Sequence, residues 1–154
     1  MPGIRETRVL PYSCEQMFDL VADVARYKEF LPWVVATRVR SDSETEMTAD
    51  MVVGFKNLRE SFTSKVSKQR PGMIDVQYID GPLKDLDNRW YFEALPGGGC
   101  KIDFSVDFTF KNRIFEALAG QYFDRAFRKM VTAFEDRARQ LYDSSSNSSA
   151  HSVA

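Results

Sequence analysis

Histidine is almost missing from this chain: there is 1 in 154 residues, His151, inside the serine-rich stretch that closes the sequence. No Ser–His or Cys–His nucleophile pair and no histidine-bearing metal site can therefore be assembled in the part expected to fold. Cysteine is scarce too. Cys14 and Cys100 are the only 2, show no motif spacing, and read as reduced thiols. Neither sign of charge dominates, since 21 Lys and Arg against 22 Asp and Glu leave a net charge of −1. A strong general attraction to nucleic acid is not expected on that ground, and DNA is not an expected partner. No apolar run approaches the ~20 residues that cross a bilayer. The opening MPGIRETRVLPYS has neither a signal peptide's apolar segment nor an arginine- and serine-rich transit stretch, so a cytoplasmic protein is expected.

What the chain does have is periodicity. Ile102, Phe104, Val106, Phe108 and Phe110 share one face of a strand over Cys100–Phe110, with Lys101, Asp103, Ser105, Asp107 and Thr109 on the other. Phe115, Leu118, Phe123, Phe127, Met130, Phe134, Ala138 and Leu141 then recur at helical steps, the apolar face of one helix over Arg113–Leu141. Upstream, Ile4–Leu10 reads as a strand stopped by Pro11. Ser13 and Gln16 form a capping box for a helix over Gln16–Val24, and a second short helix or turn, Ala25–Leu31, ends at Pro32. Further strands are expected over Trp33–Arg40, Glu46–Phe55, Leu58–Lys68, Met73–Ile79 and Arg89–Leu95, with 83–87 as a loop and Pro96–Gly97–Gly98–Gly99 as a turn. The sum is one α+β domain over residues 1–142, large enough to bury roughly 70% of its unfolded surface, followed by a disordered tail over 143–154. Only the terminal helix can cover the apolar side of such a sheet, so the sheet must curl around it.

A phenylalanine-lined sheet under a phenylalanine-lined helix makes either a tight core or a greasy pocket. The chain holds 12 phenylalanines, most of them on these two surfaces. Rigid rings on a curved sheet leave gaps, and sites for apolar ligands are lined in this way. Polar groups on the inward faces are few. Glu60 and Tyr78 are the candidates, and Glu60 reads more simply as a sheet-edge carboxyl paired with Arg59, Arg89 or water than as an acid–base group.

Two segments, Tyr27-Lys28-Glu29-Phe30-Leu31-Pro32-Trp33 and Asp80-Gly81-Pro82-Leu83-Lys84-Asp85-Leu86 with Trp90 and Phe92 beyond it, resemble the coenzyme Q-binding START-like proteins of the polyketide cyclase/START superfamily, close to the ribosome-association toxin RatA. The resemblance implies a helix-grip (START/Bet v-like) fold, with a curved antiparallel seven-stranded sheet wrapped around the C-terminal helix and the order βααββββββα. It implies a non-catalytic protein that holds ubiquinone or a related polyprenyl lipid, supports respiratory electron transport and touches the inner membrane surface, with no cofactor besides that ligand. In the RatA-like alternative the partner is the large ribosomal subunit and the function is inhibition of subunit association. A polyketide cyclase-type enzyme would need convergent polar groups that the inward faces scarcely offer.

On this reading Phe30, Leu31 and Trp33 border the cavity on one side. Met51, Phe55, Leu83, Leu86, Trp90, Phe92, Phe104, Val106 and Phe108 line it from the sheet, and Phe115, Leu118, Phe123, Phe127 and Met130 from the helix. The 81–87 segment, with Leu83 and Leu86 among charged residues, is expected to act as a flap over the mouth. Leu83 keeps that site apolar where many relatives carry an aromatic residue.

Overall fold

Every alternating segment of the sequence becomes a strand of one sheet. A computed structural model describes residues 3–55 and 58–143, and at 55, 58, 114–115 and 118–124 the backbone alone. Of the serine-rich tail expected over 143–154, Asp143 closes the C-terminal helical turn and the rest lies outside the described residues. Strand β1 (Gly3–Leu10) leads into helix α1 (Cys14–Ala22) and a 3-10 segment, Val24–Glu29. Then come β2 (Val34–Asp42), β3 (Glu46–Phe55), β4 (Leu58–Gln69), β5 (Met73–Asp80), β6 (Leu83–Ala94) and β7 (Cys100–Phe110). Helix α2 (Arg113–Ala138) ends in a single π turn, Arg139–Asp143. The sheet order is β1-β7-β6-β5-β4-β3-β2 with every neighbour antiparallel, so the first and last strands lie side by side. This is the expected α+β architecture, with the second short helix realised as 3-10.

One expectation is overturned. Residues 83–87 are not a loop; they open β6 and pair with β7, Leu83 opposite Phe110 and Leu86 opposite Phe108. A register shift between Leu83 and Asp85 inserts an extra residue, so two leucines three apart reach the same face. That bulge breaks the period of two and hides the strand from pattern reading.

Helix α1 starts where its cap dictates. The Ser13 hydroxyl accepts from the Gln16 N–H at 3.1 Å, and the Gln16 side chain accepts from the Ser13 N–H at 2.9 Å. Two of the four orphan donors of the helix start are thereby satisfied. Its buried face, Cys14, Met17, Phe18, Leu20 and Val21, closes one end of the concave side of the sheet, with Phe18 edge-on to Phe92 at 5.8 Å. The second half of α2 reaches the same end: Phe134 packs on Tyr27, Phe30 and Trp90 at 5.5, 5.3 and 5.5 Å, and Ala138 is fully buried. Tyr142 donates to the Gln16 carbonyl at 2.8 Å, and Arg137 bonds Glu29 at 2.7 Å.

Two cysteines 86 residues apart meet in this core. Cys14 and Cys100 are free thiols with their Sγ atoms 2.9 Å apart, and Cys100 has no exposed surface. Burial first, and then its bond to Cys14, pushes the Cys100 thiol up to about 12.

Candidate functional site

Beyond the closed end, the concave wall is built by register. Trp90 stands opposite Phe104, Asn88 opposite Val106, and Leu86 opposite Phe108. These pairs share the inner face because the side-chain period is two. The Trp90 and Phe104 rings lie 4.5 Å apart, and Phe127 comes down from α2 onto Phe104 at 5.4 Å. The indole N–H of Trp90 donates to the Asn88 Oδ1 at 3.1 Å, and the Asn88 amide donates to the Ser105 carbonyl at 2.9 Å. The wall thus satisfies its own aromatic donor, and its rings pack on one another. Four buried hydrophobics, Leu83, Phe104, Phe108 and Phe127, lie outside the cluster that holds α1 to the sheet.

The residues expected to line a cavity divide accordingly. Leu83, Leu86, Trp90, Phe104, Val106, Phe108 and Phe127 come together on the wall, and Met51 sits on the same face two strands beyond β5. Leu31 and Phe92 belong to the closed core, and Met51, Trp90 and Met130 pack against it. Phe30 lies between Phe134 and the Arg137 guanidinium, 5.2 Å from its ring centre, and borders an open groove of about 550 Å³ on the outer flank of α2 with Glu29, Pro32 and Ala133. Trp33 is half-exposed just before β2. The side chains of Phe55, Phe115, Leu118 and Phe123 lie outside the described residues.

The expected flap is a pinned turn instead. Tyr78 accepts the Leu83 N–H at 2.9 Å, and the Lys111 N–H reaches the Pro82 carbonyl at 3.5 Å. Gly81 makes this fit possible: its φ is +149°, and a Cβ there would come within 2.9 Å of both the Ser61 carbonyl and the Tyr78 hydroxyl.

Charge is sparse on the inner faces of the central strands. Glu60 faces inward opposite Val53, half-exposed, and none of the ion pairs among the described residues involves it. Lys68 is spent on Asp42 at 2.6 Å. Among the described residues no group of three His, Cys, Asp or Glu could hold a metal, and no helix is long and apolar enough to cross a membrane. Sequence reading missed the Asn88–Trp90 bond, whose only trace is an asparagine at an inward position of a strand.

A curved seven-stranded antiparallel sheet wrapped around one long C-terminal helix defines the helix-grip class of START-like domains, and the chain falls within it. The model of the polyketide cyclase / dehydrase and lipid transport family matches residues 10–135, and the chain belongs to that family. It is 36% identical to the ribosome association toxin RatA of Escherichia coli K12 over 142 residues, 92% of this chain and 90% of that one. With RatA of Pseudomonas aeruginosa the identity is 37% over 139 residues, 90% and 96% of the two chains. The mitochondrial coenzyme Q-binding protein COQ10 homolog B of Xenopus laevis is 36% identical over 89% of this chain, which spans 58% of that protein. The solution structure of an 18 kDa protein from Caulobacter crescentus superposes with a TM-score of 0.73 at 36% identity, covering 93% of this chain and 99% of that one. The ZhuI aromatase/cyclase of Streptomyces superposes at 0.75 with 14% identity over 91% and 95% of the two chains, a likeness of fold alone.

Proposed function

We propose that this protein is a non-catalytic carrier of an apolar ligand, ubiquinone or a related polyprenyl lipid, held between the concave wall and α2 in support of respiratory electron transport. One observation carries the reading: the pairs Trp90–Phe104 and Leu86–Phe108 present a ring-lined surface whose one indole donor is already satisfied by Asn88. A surface of that kind rewards an apolar chain at about 0.8 kcal/mol per buried CH₂. Several isoprene units then offset the cost of association. The kinship to a coenzyme Q-binding protein supports the choice of ligand. Acid–base chemistry finds little footing here, since Glu60 has no titratable partner at ion-pair distance among the described residues.

The test is titration with decylubiquinone, followed by quenching of Trp90 fluorescence in a Trp33→Phe background. Saturable quenching at micromolar ligand is expected, together with its loss in Val106→Asp. Binding that survives Val106→Asp overturns the assignment to this wall.

A second reading, inhibition of ribosomal subunit association with the large subunit as partner, is favoured by the identity to RatA along 90% or more of both chains. Sucrose-gradient profiles after overexpression decide it. Free subunits that accumulate equally with wild type and Val106→Asp favour the ribosome and detach that role from the wall.

A further inference from the structure

The apolar wall carries one polar spot that the structure does not use up. Tyr78 on β5 and Ser64 on β4 are register partners, so their side chains stand next to each other on the inner face, with Cβ atoms about 5 Å apart. Val66 and Val76, the neighbouring pair, flank them on one side, and the Phe62 ring stands 6.5 Å from the Tyr78 ring. A register shift between Thr63 and Ser64 falls at this place. Such bulges re-aim side chains and gather near functional sites.

The hydrogen-bond account of Tyr78 is half complete. Its oxygen accepts the Leu83 N–H at 2.9 Å, while its own O–H finds no acceptor among the described residues. The Ser64 hydroxyl has no partner among them either, and both residues are half-buried. Two unspent hydroxyl donors on an apolar surface call for an acceptor oxygen.

The surrounding charge says what kind. Lys68 is the only cation on the inner faces of β4 to β7, and Asp42 neutralises it, whereas Glu60 lies on the same face of β4 two positions before Phe62. On these strands an anionic head group would meet Glu60 and no free cation. A phenol is a donor at neutral pH, and burial moves the Tyr78 hydroxyl further in that direction.

We infer that Tyr78 and Ser64 form the polar seat of the site, and that they select a neutral head group with carbonyl or ether oxygens over an anionic lipid such as a fatty acid. The inference rests on the carrier reading and adds the chemistry of the head group to it. Tyr78 gives the stronger bond, because the Leu83 N–H fixes its oxygen and thereby limits where the O–H can point. The seat lies beside the β5–β6 turn, away from the end closed by α1, so the head group sits there with the tail running along Val106 and Phe108.

The experiment measures three probes, decylubiquinone, squalene and palmitate, against wild type, Tyr78→Phe and Ser64→Ala. Decylubiquinone affinity is expected to fall about tenfold in Tyr78→Phe and about threefold in Ser64→Ala, the loss of one neutral hydrogen bond each. Squalene, which has no oxygen, is expected to bind all three proteins equally. Palmitate is expected to bind wild type at least tenfold more weakly than decylubiquinone. A parallel loss of squalene and quinone in Tyr78→Phe overturns the seat and reduces Tyr78 to an anchor for Leu83. Unchanged quinone affinity in both variants overturns it too, as does palmitate binding as tightly as the quinone, and in these cases the carrier reading stands. Failure of wild type to bind any probe removes the carrier reading and the seat together.

Discussion

The two ends of the concave trough are made of the same residue types and put them to different use. At the end closed by α1, Phe18, Phe92, Phe134 and Cys100 interlock, and Ala138 is fully buried. Toward the β5–β6 turn the wall holds Leu83, Phe104 and Phe108 outside that cluster, with Val106, Leu86, Phe62 and Tyr78 half-buried among them. One end has a capped helix wedged into it; the other has only the sheet and the helix that follows β7. The core interlocks where three elements converge, and the proposed ligand site lies where two meet.

Substitutions can break or sharpen this contrast. The largest effect is expected from Phe134→Ala, which removes the ring that Tyr27, Phe30 and Trp90 all touch. A loss of about 3–5 kcal/mol in urea unfolding is expected. Next, added bulk separates the ends. Ala138→Leu has nowhere to go and is expected to cost about 1–3 kcal/mol. Val106→Phe is expected to leave the unfolding midpoint near wild type while lowering decylubiquinone uptake. Equal destabilisation by both would make the trough uniformly packed and end the comparison. Ser13→Ala removes the hydroxyl of the capping box and is expected to cost about 1 kcal/mol by the same assay.

The smallest effect at neutral pH comes from Cys100. Its thiol is raised from 9.0 to about 12 in the folded protein, so the native state holds its proton where the unfolded chain has lost it. Its contribution is therefore complete below about pH 9 and is lost as pH rises toward 12. Urea midpoints that decline over that window in wild type, and less in Cys100→Ala, check the sign.

How much of this the sequence discloses follows from the range of each signal. β3 and β7 have the bounds that alternation predicts, because each keeps a period of two from end to end. The capping box is equally local and equally legible. The start of β6 is illegible, since a bulge at Lys84 shifts the phase and turns a strand into an apparent flap. The meeting of Cys14 with Cys100 cannot be read at all. It depends on Leu10 lying opposite Cys100 across the sheet, a register that spacing along the chain does not encode. Phe30 is a similar case: an apolar residue in a motif reads as lining, yet its ring is taken up by Phe134 and Arg137. The unspent hydroxyls of Ser64 and Tyr78 emerge only once their neighbours' bonds are assigned.

The adjacency of β1 and β7 has a consequence for how the chain is made. Residues 3–10 are synthesised before the rest of the sheet, but their strand partner among the described residues spans 100–110, the last strand of the sheet. Until then β1 is an unpaired edge, and β6 lacks one of its two neighbours. Local pairings such as β3 with β4 can form early, whereas closing the sheet waits on the most distant pairing it contains. A chain truncated before residue 100 should therefore have no finished wall, and the proposed lipid binding should begin only once β7 is in place.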